Sequence, residues 1–282
     1  MELNTPSQME KATAFRALHV EADGFVIPNP WDAGTARLLE FLGFKALATT
    51  SAGFSFSRGR PDNSVPREPL LAHLAQIAAA TSLPVSADLE NGFGDAPEEV
   101  ARTIRLAAEA GVVGGSIEDT TGRQNEPLYD QAFAAERIRA AAEAARSLPF
   151  PFTLTARAEN YIIGRPDLAD TIARLQAYQE AGADVLFAPG LTRQEDIATV
   201  VREVDRPVNV LIGFPGISLG AKELAELGVR RISVGGSLAR AALGEFLRAA
   251  TELRDHGTSS YALSAISGSE INKIFATTPS AQ

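Results

Sequence analysis

A short β-rich apolar run followed by a helical segment recurs eight times along this chain, and this alternation limits its fold most strongly. The runs are Gly24–Pro28, Lys45–Thr49, Pro84–Glu90, Val113–Asp119, Phe152–Ala158, Asp184–Pro189, Pro207–Ile212 and Arg230–Gly236. Strict alternation of strand and helix predicts a parallel sheet whose faces are covered by helices. Eight units favour an α/β fold closed into a (β/α)8 TIM barrel, which typically needs about 250 residues.

The segments between these runs carry apolar residues at helical spacing. They are Asp32–Leu42, Arg67–Thr81, Ala96–Ala110, Asp130–Ser147, Pro166–Ala181, Thr192–Val204, Ser218–Leu227 and Ser237–Arg254. Four of them end in a glycine just before the next strand, at Gly43, Gly111, Gly182 and Gly228. Glycine supplies the left-handed conformation that ends a helix. An open doubly wound sheet is the alternative, but PNPWDAG stands where that fold usually carries G-x-G-x-x-G.

The length of 282 residues suits one barrel, so we expect residues 1–282 to form a single domain. Two segments fall outside the eight units. Thr5–Glu21 is predicted to be a helix before the first strand, and Ser259–Phe275 an extra C-terminal helix. The HGTSS linker before Ser259–Phe275 would let that helix reach away from its own barrel.

Composition excludes some classes of function. The formal net charge is −9 and the sequence pI is near 5.0, which argues against nucleic acid as a partner because phosphate binding needs clustered Lys and Arg. The chain has no cysteine, so disulfides, thiolate nucleophiles and cysteine metal ligands are excluded. The N-terminal segment lacks an apolar signal sequence, and no apolar run approaches about 18 residues. We therefore expect a cytoplasmic protein with no membrane partner.

Acidic residues stand at the ends of two neighbouring strands. Alternation along the third strand would put Asp88 and Glu90 on one face, and Glu118 ends the fourth strand. Carboxylates this close repel one another unless a cation neutralises them. Oxygen ligands without cysteine or histidine favour Mg²⁺, with Mn²⁺ as the alternative ion. The competing interpretation is that these acids cap helices or accept hydrogen bonds from backbone amides.

Arg157 lies between apolar positions of the fifth strand, where a guanidinium must face an anion. A substrate carboxylate is one candidate for that anion. A structural ion pair with Glu159 or Glu118 is the other. We take substrate binding as the working hypothesis.

The second strand leads into small residues, Ser51, Ala52 and Gly53, whose backbone amides would hold carboxylate or enolate oxygens in a loop. The polar segment 54–67 that follows suits a mobile lid, in which Asp62 would act as an acid or base. Asn209 in the seventh strand, and Arg123 and Asn125 after the fourth, are candidates for binding the distal group of a substrate. The three histidines, His19, His73 and His256, are expected to serve packing or lie on the surface.

At these residues the sequence resembles the isocitrate lyase / phosphoenolpyruvate mutase superfamily. The resemblance is carried by NPWDAGTARLLEFLGFKALATTSAG, ADLENGFGD, GGSIEDTTG, TARAEN and SVGGSLARAAL. It spans nearly the whole chain, and the D-x-E-x-G-F-G element followed by IED is its most specific part.

The resemblance implies a (β/α)8 barrel whose terminal helix is exchanged between subunits, in a homotetramer built from two dimers. It implies that Asp88 binds Mg²⁺ directly and that Glu90 and Glu118 hold metal-bound waters. It also implies that Arg157 and the loop Ser51–Gly53 bind a 2-oxo carboxylate, and that Asp62 belongs to the gating loop. The chemistry common to the superfamily makes or consumes a pyruvate enolate with help from the metal.

Departures from the superfamily pattern narrow the function. The lyases carry a cysteine in a K-[KR]-C-G-H loop, whereas residues 120–126 read TTGRQNE here. The glutamate that the lyases place after the sixth strand is also absent from Phe187–Gly190. The lysine and Asn-Ser pair of the mutases is not evident. Decarboxylation of an oxaloacetate-type substrate is therefore the leading hypothesis, against a phosphonopyruvate or carbon–carbon hydrolase, a cysteine-free lyase and a non-catalytic metabolite-binding barrel.

Overall fold

Eight short parallel strands form the sheet in the computed structural model, which describes residues 6–277. The strands are β1 Phe25–Ile27, β2 Leu47–Ala48, β3 Val85–Asp88, β4 Gly114–Glu118, β5 Thr153–Arg157, β6 Val185–Phe187, β7 Val208–Leu211 and β8 Arg231–Ser233. They lie in the order β1-β8-β7-β6-β5-β4-β3-β2. The Ala48 amide at the other edge donates to the carbonyl of Pro28 at 3.1 Å, so the two edges meet. The predicted TIM barrel is confirmed.

Eleven α-helices accompany these strands in the described residues. They are α1 Gln8–Leu18, α2 Ala33–Phe41, α3 Ser51–Ser57, α4 Arg67–Ala80, α5 Pro97–Glu109, α6 Gln131–Arg146, α7 Leu168–Ala181, α8 Gln194–Glu203, α9 Ala221–Glu226, α10 Ser237–His256 and α11 Gly268–Thr277. Local sequence explains their ends. Asp32 and Asp167 accept backbone hydrogen bonds at the starts of α2 and α7, and Gly182 ends α7 at a φ of 108°.

Two predicted segments differ from the structure. The extra C-terminal helix expected at Ser259–Phe275 is present but begins only at Gly268, as α11, because a 3-10 turn at Ser260–Leu263 and an interruption precede it. Helix α1 is shorter than the predicted Thr5–Glu21, whose first residue lies outside the described part of the chain. The single domain over residues 1–282 stays a prediction. Among residues 6–277, no helix is both long enough and apolar enough for a bilayer crossing.

Helix α1 closes the bottom of the barrel. Its Phe15 is fully buried and meets the ring of Phe25 from β1 edge to face, at a centroid distance of 6.3 Å. His19 packs against the same two rings and contacts the Phe15 carbonyl through Nδ1 at 2.8 Å. Apolar side chains therefore seal the N-terminal end of the strands. The opposite end stays open for a site, as barrel enzymes require.

Helix α10 follows the last strand but leaves most of its surface exposed. Ala239, in its first turn, is its only residue in the buried class, and Leu243, Phe246 and Leu247 are all exposed. A groove beside β1 and β8 lies open, and its lining mixes apolar residues such as Val26 and Ala225 with the charged residues Asp23, Lys222 and Glu226. The exposed apolar side of α10 is not covered by any part of the described chain.

The turn between β3 and α5 is fastened by one buried arginine. Arg137 of α6 is 1 % exposed and donates to the backbone carbonyls of Asp95, Gly94 and Asn91, with its guanidinium 4.1 Å from the centre of the Tyr129 ring. Buried backbone carbonyls need hydrogen-bond donors, and Arg137 supplies donors to these three. Arg137 thus fixes the segment that follows Asp88.

Arg137→Met should lower the free energy of unfolding by roughly 3–5 kcal/mol, because several buried carbonyls lose charged donors together. Urea unfolding followed by circular dichroism measures the loss. Arg139→Met, on the exposed side of the same helix, is the matched control and should stay within about 0.5 kcal/mol of the wild type. Equal effects of the two substitutions would contradict the fastening role.

Candidate active site

A cavity of about 330 Å³ opens at the carboxyl ends of the strands. Strands β2 to β8, together with Asn29 after β1 and loop residues at the same end, supply its walls. The polar lining residues are Asn29, Thr49, Thr50, Ser51, Asp62, Asp88, Ser116, Thr155, Arg157, Asn209, Arg231, Ser233 and Arg240. Apolar residues, among them Phe56, Ile162, Phe187 and Phe214, line it as well. A concave space with a few polar groups at this end of a barrel is the usual place for an active site.

Arg157 gathers three carboxylates from the ends of β3, β4 and β5. Its Nη1 donates to Asp88 Oδ1 at 3.0 Å, its Nη2 lies 3.2 Å from Glu118 Oε2, and its Nε donates to Glu159 Oε1 at 2.7 Å. These ion pairs raise the pKa of Arg157 above its usual value despite burial. The ion pairs of Arg157 with Glu159 and Glu118, which the sequence left open as an alternative, are present. Asp88 forms a third ion pair with the same guanidinium.

Glu90 lies in the same region, although the backbone conformation that places it there was not predicted. Strand β3 ends at Asp88, and Glu90 adopts a φ of 50°, so strand alternation does not place it as predicted. Its side chain is buried, and its carboxylate has no hydrogen-bond or ion-pair partner among residues 6–277. Burial, and then the charges of Asp88, Glu118 and Asp62, raise the pKa of Glu90 to about 8.

Asp119 is buried behind the cavity lining, where it holds the strand ends in position, and no role was predicted for it. Its carboxylate accepts from the Tyr178 hydroxyl at 2.6 Å, from Arg174 Nη1 at 3.1 Å and from the Glu159 backbone amide at 2.9 Å. Burial raises the pKa of Asp119 while these donors lower it. The hydrogen bond to the Glu159 amide joins the ends of β4 and β5. The only signal in the sequence was a second acid directly after Glu118.

The segment after β2 is helical rather than the expected loop. Thr50 caps α3 by accepting a hydrogen bond from the Gly53 amide at 3.2 Å, which explains why the helix starts there. The Ser51 amide donates to Asp88 Oδ2 at 3.0 Å. Ser51 and Ala52 line the cavity, whereas Gly53 packs inward, where an added Cβ would meet Trp31 at 2.9 Å.

Asp62 lies at the cavity and is electrostatically linked to the site. Burial and then the charge of Asp88 raise its pKa, although a hydrogen bond with Ser51 and the charge of Arg157 oppose this. Of the predicted lid 54–67, residues 54–57 belong to α3 and Arg67 begins α4, and only residues 58–66 have no regular secondary structure, so the mobile lid stays a prediction. Asp62 therefore lines the cavity, and its role as an acid or base stays a prediction.

The remaining predicted residues divide into two groups. Asn209 lines the cavity and donates from Nδ2 to Ser233 Oγ at 3.0 Å. Arg123 and Asn125 lie outside it, since Arg123 pairs with Asp95 at 2.8 Å in a surface loop. His19 and His73 are packing residues, as expected, because His73 stacks on Phe54 with ring centres 3.8 Å apart.

The oxygen donors of the site suit a hard divalent cation, although Asp88 and Glu118 pair with Arg157 in this structure. Within residues 6–277 no three His, Asp or Glu side chains form a metal-ligand group. Asp88, Glu90 and Glu118 nevertheless offer only oxygen ligands, which Mg²⁺ prefers. The carboxylate of Glu90 has no partner among the described residues, and burial and then the charges of the neighbouring acids raise its pKa. A divalent ion would relieve the repulsion between these acids.

Comparisons with known proteins agree with this geometry. The profile of the phosphoenolpyruvate phosphomutase family matches residues 15–254. An uncharacterised protein of Mycobacterium tuberculosis is 36% identical over 79% of this chain and 81% of its own length. The 2-methylisocitrate lyase of Escherichia coli strain K12 is 32% identical over 68% of this chain and 64% of its own length.

Solved structures extend the similarity over almost the entire chain. A Burkholderia cenocepacia J2315 protein assigned to the lyase/mutase class is 63% identical, with a TM-score of 0.94 over 96% of this chain and 97% of the other. Oxaloacetate acetylhydrolase with its product oxalate is 26% identical, with a TM-score of 0.85 over 96% of both chains. Phosphonopyruvate hydrolase with oxalate and Mg²⁺ is 26% identical, with a TM-score of 0.82 over 94% of both.

Arg157→Met should destabilise the protein by about 3–5 kcal/mol, because it leaves buried carboxylates without their counter-charge. Arg157→Lys should recover part of this loss, since it restores the charge but not the three-way fork. Thermal and urea unfolding measure both variants. Arg202→Met removes an exposed arginine paired with Glu203 at 3.2 Å and serves as the control. A methionine variant as stable as the wild type would show that Arg157 does not organise the acids.

Proposed function

Because this chain belongs to the phosphoenolpyruvate phosphomutase family, we propose that it is an enzyme that cleaves a carbon–carbon bond in a small 2-oxo carboxylate. Decarboxylation of an oxaloacetate-type substrate is the reaction that its residues support best. One observation carries the proposal. Carboxylates from two adjoining strands, Asp88 and Glu118, meet one guanidinium beside an open cavity.

Mg²⁺ is the proposed cofactor, with Mn²⁺ as a substitute. Asp88 would be its direct ligand, and Glu90 and Glu118 would hold its waters. When bound, the ion would act as a Lewis acid that stabilises negative charge on the substrate's 2-oxo oxygen. The solved phosphonopyruvate hydrolase contains Mg²⁺ with oxalate, which supports this choice for a chain of the same fold.

The protein's own side chains would assist the remaining steps of a decarboxylation, which are cleavage of the carbon–carbon bond and protonation of the enolate. The bond to the departing carboxylate breaks, CO₂ leaves, and the electron pair stays on an enolate of pyruvate. That enolate then takes a proton at its terminal carbon. Asp62 is the proposed proton donor, because it lies in the cavity and its raised pKa favours the protonated carboxyl. No cysteine is needed for these steps, and the chain has none.

Hydrolysis of the carbon–carbon bond is the second candidate. The close structural likeness to oxaloacetate acetylhydrolase favours it, because that enzyme's product is oxalate. The residues 120–126 and 187–190, which depart from the lyase pattern, do not separate the two reactions. The products do, because decarboxylation yields pyruvate and CO₂ whereas hydrolysis of oxaloacetate yields oxalate and acetate. A barrel that binds a metabolite without turning it over is the third candidate.

We also propose that two copies of the chain exchange a helix, as part of a tetramer of two dimers. The sequence analysis gave this role to Ser259–Phe275. The exposed apolar side of α10 favours that helix instead, with the open groove beside β1 and β8 of a second copy as its partner surface. Helix α11 contacts α2 of its own chain, where Arg37 donates to the Phe275 carbonyl.

Purified protein supplied with Mg²⁺ should release pyruvate from oxaloacetate, and Asp88→Ala should lower kcat/KM by at least about a hundredfold because direct ligands are essential to metal catalysis. A coupled lactate dehydrogenase assay measures pyruvate, and chelation of the metal should reproduce the loss. Asp205→Ala, at an exposed loop before β7, is the matched control. Full activity of Asp88→Ala would refute the proposal, and oxalate with acetate as products would select the hydrolase.

Phe246→Glu should shift the protein toward the monomer, because it places a charge on the apolar side of α10. Light scattering coupled to size-exclusion chromatography measures the mass of the particle. Arg248→Glu, an exposed position of the same helix whose side chain pairs with Glu245, is the control. An unchanged mass for Phe246→Glu would contradict the exchange of α10.

A further inference from the structure

The cavity divides into a polar floor and an apolar mouth. Strand residues such as Asp88 and Arg157 supply the floor. Phe56, Ile162 and Phe214 line the cavity from segments that follow the strands, namely from α3 and from the chain after β5 and after β7. Because the chain leaves each strand at the open end of the barrel, these three side chains stand above the floor, around the opening. We call them the mouth residues.

The exposure of two mouth residues is unusual for this chain. Between positions 43 and 237 only two large apolar side chains are exposed, Ile162 at 46 % and Phe214 at 38 %, and both line the cavity. The rest of that long stretch covers its large apolar side chains at least in part. Exposed apolar side chains that gather at one opening mark a binding site for an apolar group.

The chain that carries Phe214 is held in place by α10. Gly213 has a φ of 74°, and a Cβ added there would lie 2.6 Å from Ser237 Oγ, so only glycine allows this close approach. Arg240 of α10 donates to the Gly213 carbonyl at 3.2 Å. These contacts fix the backbone next to Phe214 at the mouth.

The arginines of the lining offer no buried place for a second charged group at the mouth. Arg157 pairs with three carboxylates of the floor. Arg231 is the first residue of β8, so it lies below the mouth. Arg240 is exposed and donates to a loop carbonyl. A carboxylate gains little from an exposed arginine because water screens the pair, whereas an apolar group gains from every contact that removes it from water.

Helix α3 sets the distance between the two parts of the cavity. Ala52 and Phe56 are four residues apart, so they share one side of α3, and both line the cavity. Four residues of helix rise about 6 Å. A ligand whose carboxylate lies at Ser51–Gly53 and Arg157, as the superfamily resemblance implies, therefore reaches Phe56 only if it extends several bonds beyond its 2-oxo group.

We propose that the substrate is an oxaloacetate-type acid with a short alkyl chain on C3, and that this chain packs against the mouth residues. The identification rests on the proposed function. Decarboxylation breaks the bond between C3 and its carboxylate, CO₂ leaves, and the electron pair stays on the enolate. A proton taken at C3 completes the product, a 2-oxo acid whose carbon chain is longer than that of pyruvate.

Binding of product-like acids tests this subsite without requiring turnover. Isothermal titration calorimetry in the presence of Mg²⁺ compares pyruvate, 2-oxobutyrate, 2-oxovalerate and 2-oxohexanoate. The affinity should rise about threefold per added methylene, slightly less than full burial gives, and so roughly 30-fold across the series. 2-Oxoglutarate has carboxylate oxygens where 2-oxohexanoate has its last carbon, and it should bind more weakly than 2-oxohexanoate.

Phe214→Ser should reduce the preference for 2-oxohexanoate over pyruvate from roughly 30-fold to about fivefold, because it removes much of the apolar surface at the mouth. Phe41→Ser is the matched control, since Phe41 is an exposed phenylalanine at the end of α2, outside the cavity, and this variant should keep the preference of the wild type. Thermal unfolding checks that both variants fold. Ile162→Ser replaces Phe214→Ser if that variant does not fold.

Three results would overturn the apolar subsite: an affinity that does not rise with chain length, equal preferences in the two variants, or tighter binding of 2-oxoglutarate than of 2-oxohexanoate. Pyruvate release from oxaloacetate without a gain across the series would reject the subsite and leave the proposed reaction intact. A gain across the series without turnover of oxaloacetate or 3-ethyloxaloacetate would reject the reaction and leave the subsite. Binding of none of these acids would reject both.

Discussion

The guanidinium of Arg157 lies at the centre of a cluster of acids, and the geometry of the strand ends depends on its ion pairs with them. Five acidic side chains lie around Arg157, namely Asp62, Asp88, Glu90, Glu118 and Glu159. A single positive charge cannot satisfy them all, so burial and mutual repulsion raise the pKa values of Glu90 and Glu159 to about 8. A divalent cation would remove the repulsion between these acids.

The acids stay in place because residues outside the cavity hold the strand ends. Asp119 ties the end of β4 to the Glu159 amide, and it is itself anchored by Tyr178 and Arg174 of α7. Arg137 of α6 secures the turn after β3 through backbone carbonyls. Helices α6 and α7 therefore do more than cover the sheet. They carry the polar groups that fix where each strand stops, and so where each carboxylate points.

The sequence predicted the strands and most helices well, because glycine junctions and alternation are local signals. It also placed Asp88, Glu118 and Arg157 at strand ends, where parallel strands bring them together. Glu90 was harder, since its position depends on a left-handed turn rather than on strand alternation. Asp119 was missed for a related reason. Its role depends on which distant side chains reach it, and spacing along the chain contains no such information.

The interior of this barrel is unusually polar for a structure that is normally filled with branched apolar side chains. Thr153 Oγ1, Asn209 Oδ1 and Arg231 Nε are all buried without a hydrogen-bond partner in the described chain. Each such atom costs stability, and apolar residues of similar size would pack the same space at less cost. Because α1 and Phe15 seal the lower end of the strands, the cavity at their carboxyl ends is where polar groups of the interior can meet a ligand.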